Sequence, residues 1–305
     1  MSQTPAHVSS YSDVKGWFGP VDQLLFDWFL TGQRDAGIRG DLLELGAYLG
    51  KSAIFTGYYR AEGESFTVCD LFDSPAPDAS NGAEMERSYA TLTRRAFETN
   101  YLSFHDTLPT VVQAPTSLIT GHVRPGSCRF VHVDASHLYE HVHGDVESAR
   151  LLLAADGIVA FDDYRAEHCP GVAAAVWGAV ASGGLRPVCL TGTKLYGTWG
   201  DPAPLQEALL RRLESRTDVW HGVEDVAGAP LIRLKPRGTR RPWTPRSRYP
   251  AAPAADPLPA PAAAPADASG AAGSAPAARR RAPALRRLAR DLLPPILTRA
   301  LTHRS

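Results

Sequence analysis

The run DLLELGAYLGKS, starting at Asp41, carries an acid, two glycines and a serine at spacings that suit ligand binding. An apolar stretch brings Glu44 to its end, and Gly46 and Gly50 follow. Glycine takes positive φ and lets the backbone approach a ligand closely. The unpaired N–H groups of a helix starting there favour the polar end of a small molecule. Two nucleotide motifs are excluded. A phosphate loop needs four residues between its glycine and GK[ST], whereas Gly46 and Gly50 enclose only Ala47, Tyr48 and Leu49. The dinucleotide fingerprint GxGxxG fails because Tyr48 stands at its second glycine. The remaining pattern is E-x-G-x-x-x-G-x-S. Glu44 is a poor neighbour for phosphates and suits a ligand with a positive amino-acid end. Asp70, 26 residues after Glu44, closes the next strand-like run and is placed to accept ribose hydroxyls. The plainer alternatives are an ordinary βα turn for the glycines and a helix cap or solvated acid for Asp70. The joint register favours a nucleoside site.

A second group lies further along. RFVHVD ends at Asp134 and GIVAFDDY reaches Asp162 and Asp163. Neighbouring parallel strands put their C-terminal ends on one edge, where open α/β sheets bind ligands. Three carboxylates gathered there repel one another unless a cation joins them. An all-oxygen donor set favours Mg²⁺ or another hard divalent ion. His137, three residues past Asp134, is placed to act as general base beside a metal-bound hydroxyl. The plainer alternative makes Asp162 and Asp163 loop acids and His137 a helix cap. His141 and His143 read as helix-surface histidines.

These residues need a sheet to align them, and the hydrophobic pattern supplies one. Strands are expected over Asp41–Leu45, Phe66–Asp70, Thr110–Ala114, Arg129–Asp134 and Gly157–Asp162. Helices are expected over Val21–Thr31, Gly50–Arg60, Ala83–Thr99, Leu138–Ala155 and Val172–Ser182. Pro187–Thr191 and Lys194–Trp199 form a closing antiparallel hairpin, and Leu231–Leu234 a last strand-like run. This βα alternation predicts an α/β fold, a doubly wound, mostly parallel sheet covered on both faces. Residues 1–13 read as flexible, 14–234 as the folded domain and 235–278 as a disordered linker. The linker's Pro/Ala-rich part runs from Pro242 to Ala278. Residues 279–305 form a basic amphipathic segment, with Leu285, Leu288, Leu292 and Ile296 among arginines.

The chain has 305 residues and zero formal net charge, 32 basic against 32 acidic side chains. From Lys235 onward there are 14 basic and 3 acidic residues, leaving 18 and 29 for the body. An acidic body thus carries a basic tail. That tail suits an anionic membrane surface or a protein partner. Nucleic acid is disfavoured because no aromatics are interleaved for base stacking. Cys69, Cys128, Cys169 and Cys189 are too widely spaced for a zinc knuckle or redox pair and read as buried thiols in a reducing compartment. The first residues lack a signal-peptide pattern and no run is long enough to span a membrane. A cytoplasmic protein is expected, peripheral at a membrane if the tail docks there.

ELGAYLGKS, VCDLFD, HVDASHLYE and DGIVAFDDY, in this order over about residues 15–200, resemble the class I S-adenosylmethionine-dependent methyltransferases, in particular the family that includes metal-dependent macrolide sugar O-methyltransferases. The resemblance implies a Rossmann-like domain and methyl transfer to a hydroxyl of a sugar or other small polyol or phenol. It assigns Glu44, Gly46, Gly50, Ser52 and Asp70 to S-adenosylmethionine and puts Ser117 near the adenine. It assigns Asp134, Asp162 and Asp163 to the metal and makes His137 the base. Two departures from the family pattern are Asp162, where some relatives have Glu, and Asp156, where a glycine is usual. Two rivals remain. A non-catalytic binding or scaffolding protein is countered by the intact acids and His137. A nicotinamide-dependent dehydrogenase is countered by the missing GxGxxG.

Overall fold

A computed structural model describes residues 6–76, 78–88, 92–226 and 228–251. Residues 252–278 of the expected linker and the expected basic segment 279–305 lie outside them.

The apolar runs form the strands expected of them. β1 (Asp41–Leu45) and β2 (Phe66–Asp70) are buried almost throughout, as strands covered on both faces must be. β3 (Thr110–Gln113), β4 (Cys128–Val133) and β5 (Leu153–Phe161) complete a parallel set. β6 (Arg186–Leu190) and β7 (Leu195–Thr198) make the expected hairpin, and β7 runs antiparallel to β5. β8 (Val219–Val226) and β9 (Ala229–Pro236) extend the edge. Among the described residues the sheet has the order β3-β2-β1-β4-β5-β7-β6-β9-β8.

Alternation along the strands divides the core. Leu42, Phe130 and Ile158 face α1 (Pro20–Asp35) and α2 (Lys51–Gly57), in a cluster with Phe26, Phe55 and Tyr196. Leu43, Val131 and Val159 face the other way, towards Val142 and Val176. α3 (Ala79–Ser88) and α4 (Arg94–Leu102) follow β2, where one continuous helix was expected. Thr93 accounts for the new start, because its hydroxyl accepts from the Ala96 N–H. α5 (Tyr139–Leu152) and α6 (Pro170–Ala181) flank β5, and α7 (Ala203–Leu213) precedes β8. β5 starts at Leu153, earlier than expected, and α7 and β8 were not foreseen.

Both ends of the expected domain need correction. Tyr11, in the segment read as flexible, is buried and its hydroxyl donates to the Lys51 carbonyl at 2.8 Å. Past residue 234, β9 continues to Pro236 and the following segment stays bound to the body. Trp243 stacks on Phe55 at 4.8 Å between centroids and donates to the Tyr59 hydroxyl at 2.8 Å. Ser247 donates to the Val8 carbonyl at 2.6 Å, tying this segment to the N-terminal one. The four cysteines are free and buried, as expected. Among the described residues no helix is long and apolar enough to cross a membrane.

Arg129 anchors the start of β4, the strand that leads to Asp134. Its guanidinium is buried and donates twice to Glu64 at 2.8 Å, and also to the Gln33 side chain and the Tyr59 carbonyl. Removing one partner strands a buried charge. Arg129→Ala should therefore cost about 3–5 kcal/mol in urea unfolding, and a loss below about 1 kcal/mol would contradict this reading.

Candidate active site

Hydrogen bonding continues one step beyond the parallel strands and lines up their ends. The Gly46 N–H donates to the Cys69 carbonyl at 2.8 Å, Asp134 N–H to Leu45 at 2.7 Å and Asp162 N–H to Val133 at 2.9 Å. Asp70, Gly46, Asp134 and Asp162 thus form a row along the C-terminal edge. Among the described residues three non-glycine residues have positive φ, and all follow strand ends: Tyr48 (51°), Phe72 (50°) and Asp163 (52°). Strain of this kind is retained where surrounding structure enforces it, commonly at functional sites.

Gly46 (φ 80°) passes so close to the next strand end that a Cβ would sit 2.1 Å from the Asp134 carbonyl oxygen. Asp70 shapes the loop. One of its oxygens accepts from the Ala47 and Tyr48 N–H groups at 2.8 and 3.0 Å, and the other from Phe72 at 2.7 Å. The loop borders a cleft of about 260 Å³ whose lining includes Trp17, Tyr48, Asp70, Ser117, Asp134 and Asp145. Trp17 and Tyr48 stack at 5.7 Å between centroids. Gly46, Asp70 and Ser117 were expected at the cofactor, and Asp134, expected at a metal, lines the same cleft. Gly50 (φ 91°) opens α2 behind the loop, against Phe97.

Glu44 and Ser52 lie elsewhere than expected. Glu44 is fully buried beneath the loop, where its Oε1 accepts from Ser52 and its Oε2 has no partner. β1 pairs Glu44 with His132 of β4, which puts the two side chains on the same face, His132 Nδ1 lying 3.0 Å from Glu44 Oε1. Burial pushes the Glu44 carboxyl up to about 8 and His132 well below its usual value. The neutral imidazole accepts from Lys194 at Nε2 (3.0 Å), so Nδ1 carries the proton and donates to Glu44.

Lys194 reorganises the expected metal site. It follows the β6–β7 turn, one step from the Phe161–Leu195 pair, and so faces Asp162. Its buried ammonium is paired with Asp162 Oδ2. Burial opposes that charge, but Asp162, Asp134 and Asp22 outweigh it and raise the pKa. Asp134 and Asp162 are within hydrogen-bond reach of each other, and burial with the neighbouring Asp162 pushes the Asp134 carboxyl well up. Asp163 turns away. Its Oδ2 lies 3.3 Å from His137 Nε2, and although burial opposes its charge, His137 holds its carboxyl below the usual range.

Ligating atoms of His132, Asp134 and Asp162 converge, as do those of His137, Asp163 and Cys169. The three aspartates are not one ligand set. A hard divalent ion needs carboxylate oxygens that are free to ligate it, whereas the Lys194 ammonium already takes Asp162 and His132. The residues therefore do not fit the expected Mg²⁺.

The sequence also missed residues around the cleft. His141 is no simple surface residue: its Nε2 lies 2.9 Å from Asp78, and both line the cleft. Asp145 is buried with Oδ2 unpartnered, and burial pushes its carboxyl up to about 6.

Residues 43–164 match the family model described as a methyltransferase domain, a stretch that includes Glu44 to Asp163 but not Lys194. No curated protein matches the chain. Among solved structures, the O-methyltransferase NovP is 17% identical over 59% of this chain and 81% of its own, with a TM-score of 0.46. CalS11, a TDP-rhamnose 3′-O-methyltransferase of calicheamicin biosynthesis, is 19% identical over 59% of this chain and 80% of its own, with a TM-score of 0.41. TomG, an O-methyltransferase from Streptomyces achromogenes, is 16% identical over 71% and 77%, with a TM-score of 0.33.

Two outcomes follow from this geometry. Gly46→Ala should lower stability by more than about 2 kcal/mol, since neither its φ nor the Asp134 carbonyl allows a Cβ; denaturant midpoints near wild type would refute the close approach. Because the folded protein holds the Asp145 proton more tightly than the unfolded chain, this group's contribution is full at acid pH and is lost as pH rises through about 6. Asp145→Asn should therefore flatten stability between about pH 4 and 6, by up to about 3 kcal/mol. Unchanged pH dependence in thermal unfolding would show that Asp145 is not desolvated.

Proposed function

We propose that the chain, which carries a class I methyltransferase domain, transfers a methyl group from S-adenosylmethionine to a hydroxyl of a small acceptor such as a sugar, polyol or phenol. The observation that carries this reading is the cleft where the Asp70-shaped glycine loop meets Ser117, Asp134 and Asp145. Its donors and acceptors suit this cofactor. Asp70 Oδ1, which accepts only from the Phe72 N–H, retains lone-pair capacity for a ribose hydroxyl. The unpartnered Asp145 oxygen suits an amine donor such as that of adenine. The stacked Trp17 and Tyr48 rings offer π faces to a sulfonium cation. Glu44 and Ser52 support the loop from beneath.

Bound there, S-adenosylmethionine supplies an electrophilic methyl group; the acceptor oxygen forms the new C–O bond as the S–C electron pair returns to sulfur. His137 takes the hydroxyl proton, and Asp163 orients the ring and stabilises its charged form. Asp134, on the cleft wall, accepts a hydrogen bond from the acceptor and fixes its approach. No step is assigned to Mg²⁺, because the Lys194 ammonium already pairs with Asp162.

Isothermal titration should show binding of S-adenosylhomocysteine and none of NAD, and failure to bind S-adenosylhomocysteine would overturn the proposal. With methyl-labelled cofactor and a panel of glycosides, polyols and catechols, His137→Ala should lower turnover roughly 10²–10⁴-fold at unchanged S-adenosylhomocysteine affinity. Wild-type turnover in that variant would remove His137 from the mechanism.

A further inference from the structure

The acids at the strand ends hold a positive charge that belongs to the chain itself. Lys194 Nζ is paired with Asp162 and donates to His132 Nε2 at 3.0 Å. Those two residues, with Asp134, are the described residues whose ligating atoms converge at this point. The ammonium therefore stands within the donor set that a divalent ion would use.

Its placement is enforced from several sides. The antiparallel register of β5 and β7 sets Lys194 opposite Asp162. The turn before it is closed by the Thr191 N–H donating to the Lys194 carbonyl at 2.9 Å, and Thr191 Oγ1 accepts from the Lys194 N–H at 3.0 Å. α1 clamps the same turn through Asp22, which accepts from the Thr191 and Thr193 hydroxyls at 2.9 Å and from Tyr196 at 2.8 Å. The Phe18 ring lies beneath the ammonium, 5.9 Å from its centroid. A lysine held at both backbone and side chain, with its charge buried, is a fixed element of the site.

We propose that Lys194 is the resident cation of this active site, taking the place of a divalent metal and holding Asp134 and Asp162 together on the acceptor side of the cleft. Lys194 is a positioning residue: it acts on the acceptor through the two acids. A divalent ion would have to displace the ammonium from Asp162 and His132, so the wild-type protein has no strong divalent site here. Removing the ammonium while leaving its partners vacates that donor set. This inference rests on the proposed methyl-transfer reading, so cofactor binding is measured separately.

The test titrates Mn²⁺ into the full chain and follows free Mn²⁺ by electron paramagnetic resonance. Wild type should bind Mn²⁺ no tighter than the millimolar range. Lys194→Met should gain a site at least tenfold tighter, abolished by adding Asp134→Asn. Lys194→Arg, which keeps the charge, should gain none. Calorimetry with S-adenosylhomocysteine should give similar affinity in wild type, Lys194→Met and Lys194→Arg. Stoichiometric, Asp134-dependent Mn²⁺ binding by wild type would overturn the proposal, as would a Lys194→Met protein that binds S-adenosylhomocysteine yet gains no Mn²⁺ site. Loss of S-adenosylhomocysteine binding by wild type would instead overturn the methyltransferase reading. If Lys194→Met does not fold, the wild-type titration and Lys194→Arg still decide, since tight Mn²⁺ binding by either contradicts a resident ammonium.

Discussion

The buried line from Ser52 through Glu44, His132 and Lys194 to Asp162 runs beneath both halves of the candidate site. Each member is fixed by the next. Burial, with the ammonium beside it, keeps His132 neutral, and the ammonium selects the tautomer that donates to Glu44, which holds the hydroxyl at the start of α2. Buried charge is tolerated only when it is paired and hydrogen-bonded. Taking one member out leaves the others exposed to that cost. The glycine loop and the acidic edge are thus supported by a single network, although they approach the cleft from different strands.

Register explains how a parallel sheet makes such a site. The hydrogen-bond ladder runs past the strand ends and leaves Asp70, Gly46, Asp134 and Asp162 in adjacent positions. Positive φ at Tyr48 and Asp163 then decides what each turn presents. At Tyr48 the turn puts two N–H groups onto Asp70. At Asp163 it carries the second of two consecutive aspartates away from its neighbour and onto His137. Two acids that read alike in sequence therefore have different partners. Asp162 belongs to the lysine and Asp163 to the histidine.

Much of this was legible from the chain. β1 and β2 begin and end where the apolar runs do, because strands covered on both faces carry no competing polar pattern. Gly46, Asp70, Ser117 and Asp134 could be placed at the strand ends from turn chemistry and resemblance alone. Lys194 could not. Lys194 opened an expected hairpin strand with no role attached to it, and only the antiparallel register of β7 sets it opposite Asp162. His132 was hidden by the apolar strand around it. Asp145 fell inside the expected helix Leu138–Ala155 and was given no role, although it is buried at the cleft. α7 and β8 escaped because they form at the sheet's far edge, where β8 leaves Val223 exposed and the apolar pattern is weak. Trp243 was lost in a Pro-rich context, yet its ring covers Phe55.

The most direct test is a crystal structure of the protein grown with S-adenosylhomocysteine and soaked in Mn²⁺, with anomalous data collected at the manganese edge. The account predicts the nucleoside in the cleft beside Ser117 and Asp145, the Lys194 ammonium on Asp162, and no manganese peak there. A manganese peak bound by Asp134, Asp162 and Asp163, with Lys194 swung out, would contradict it.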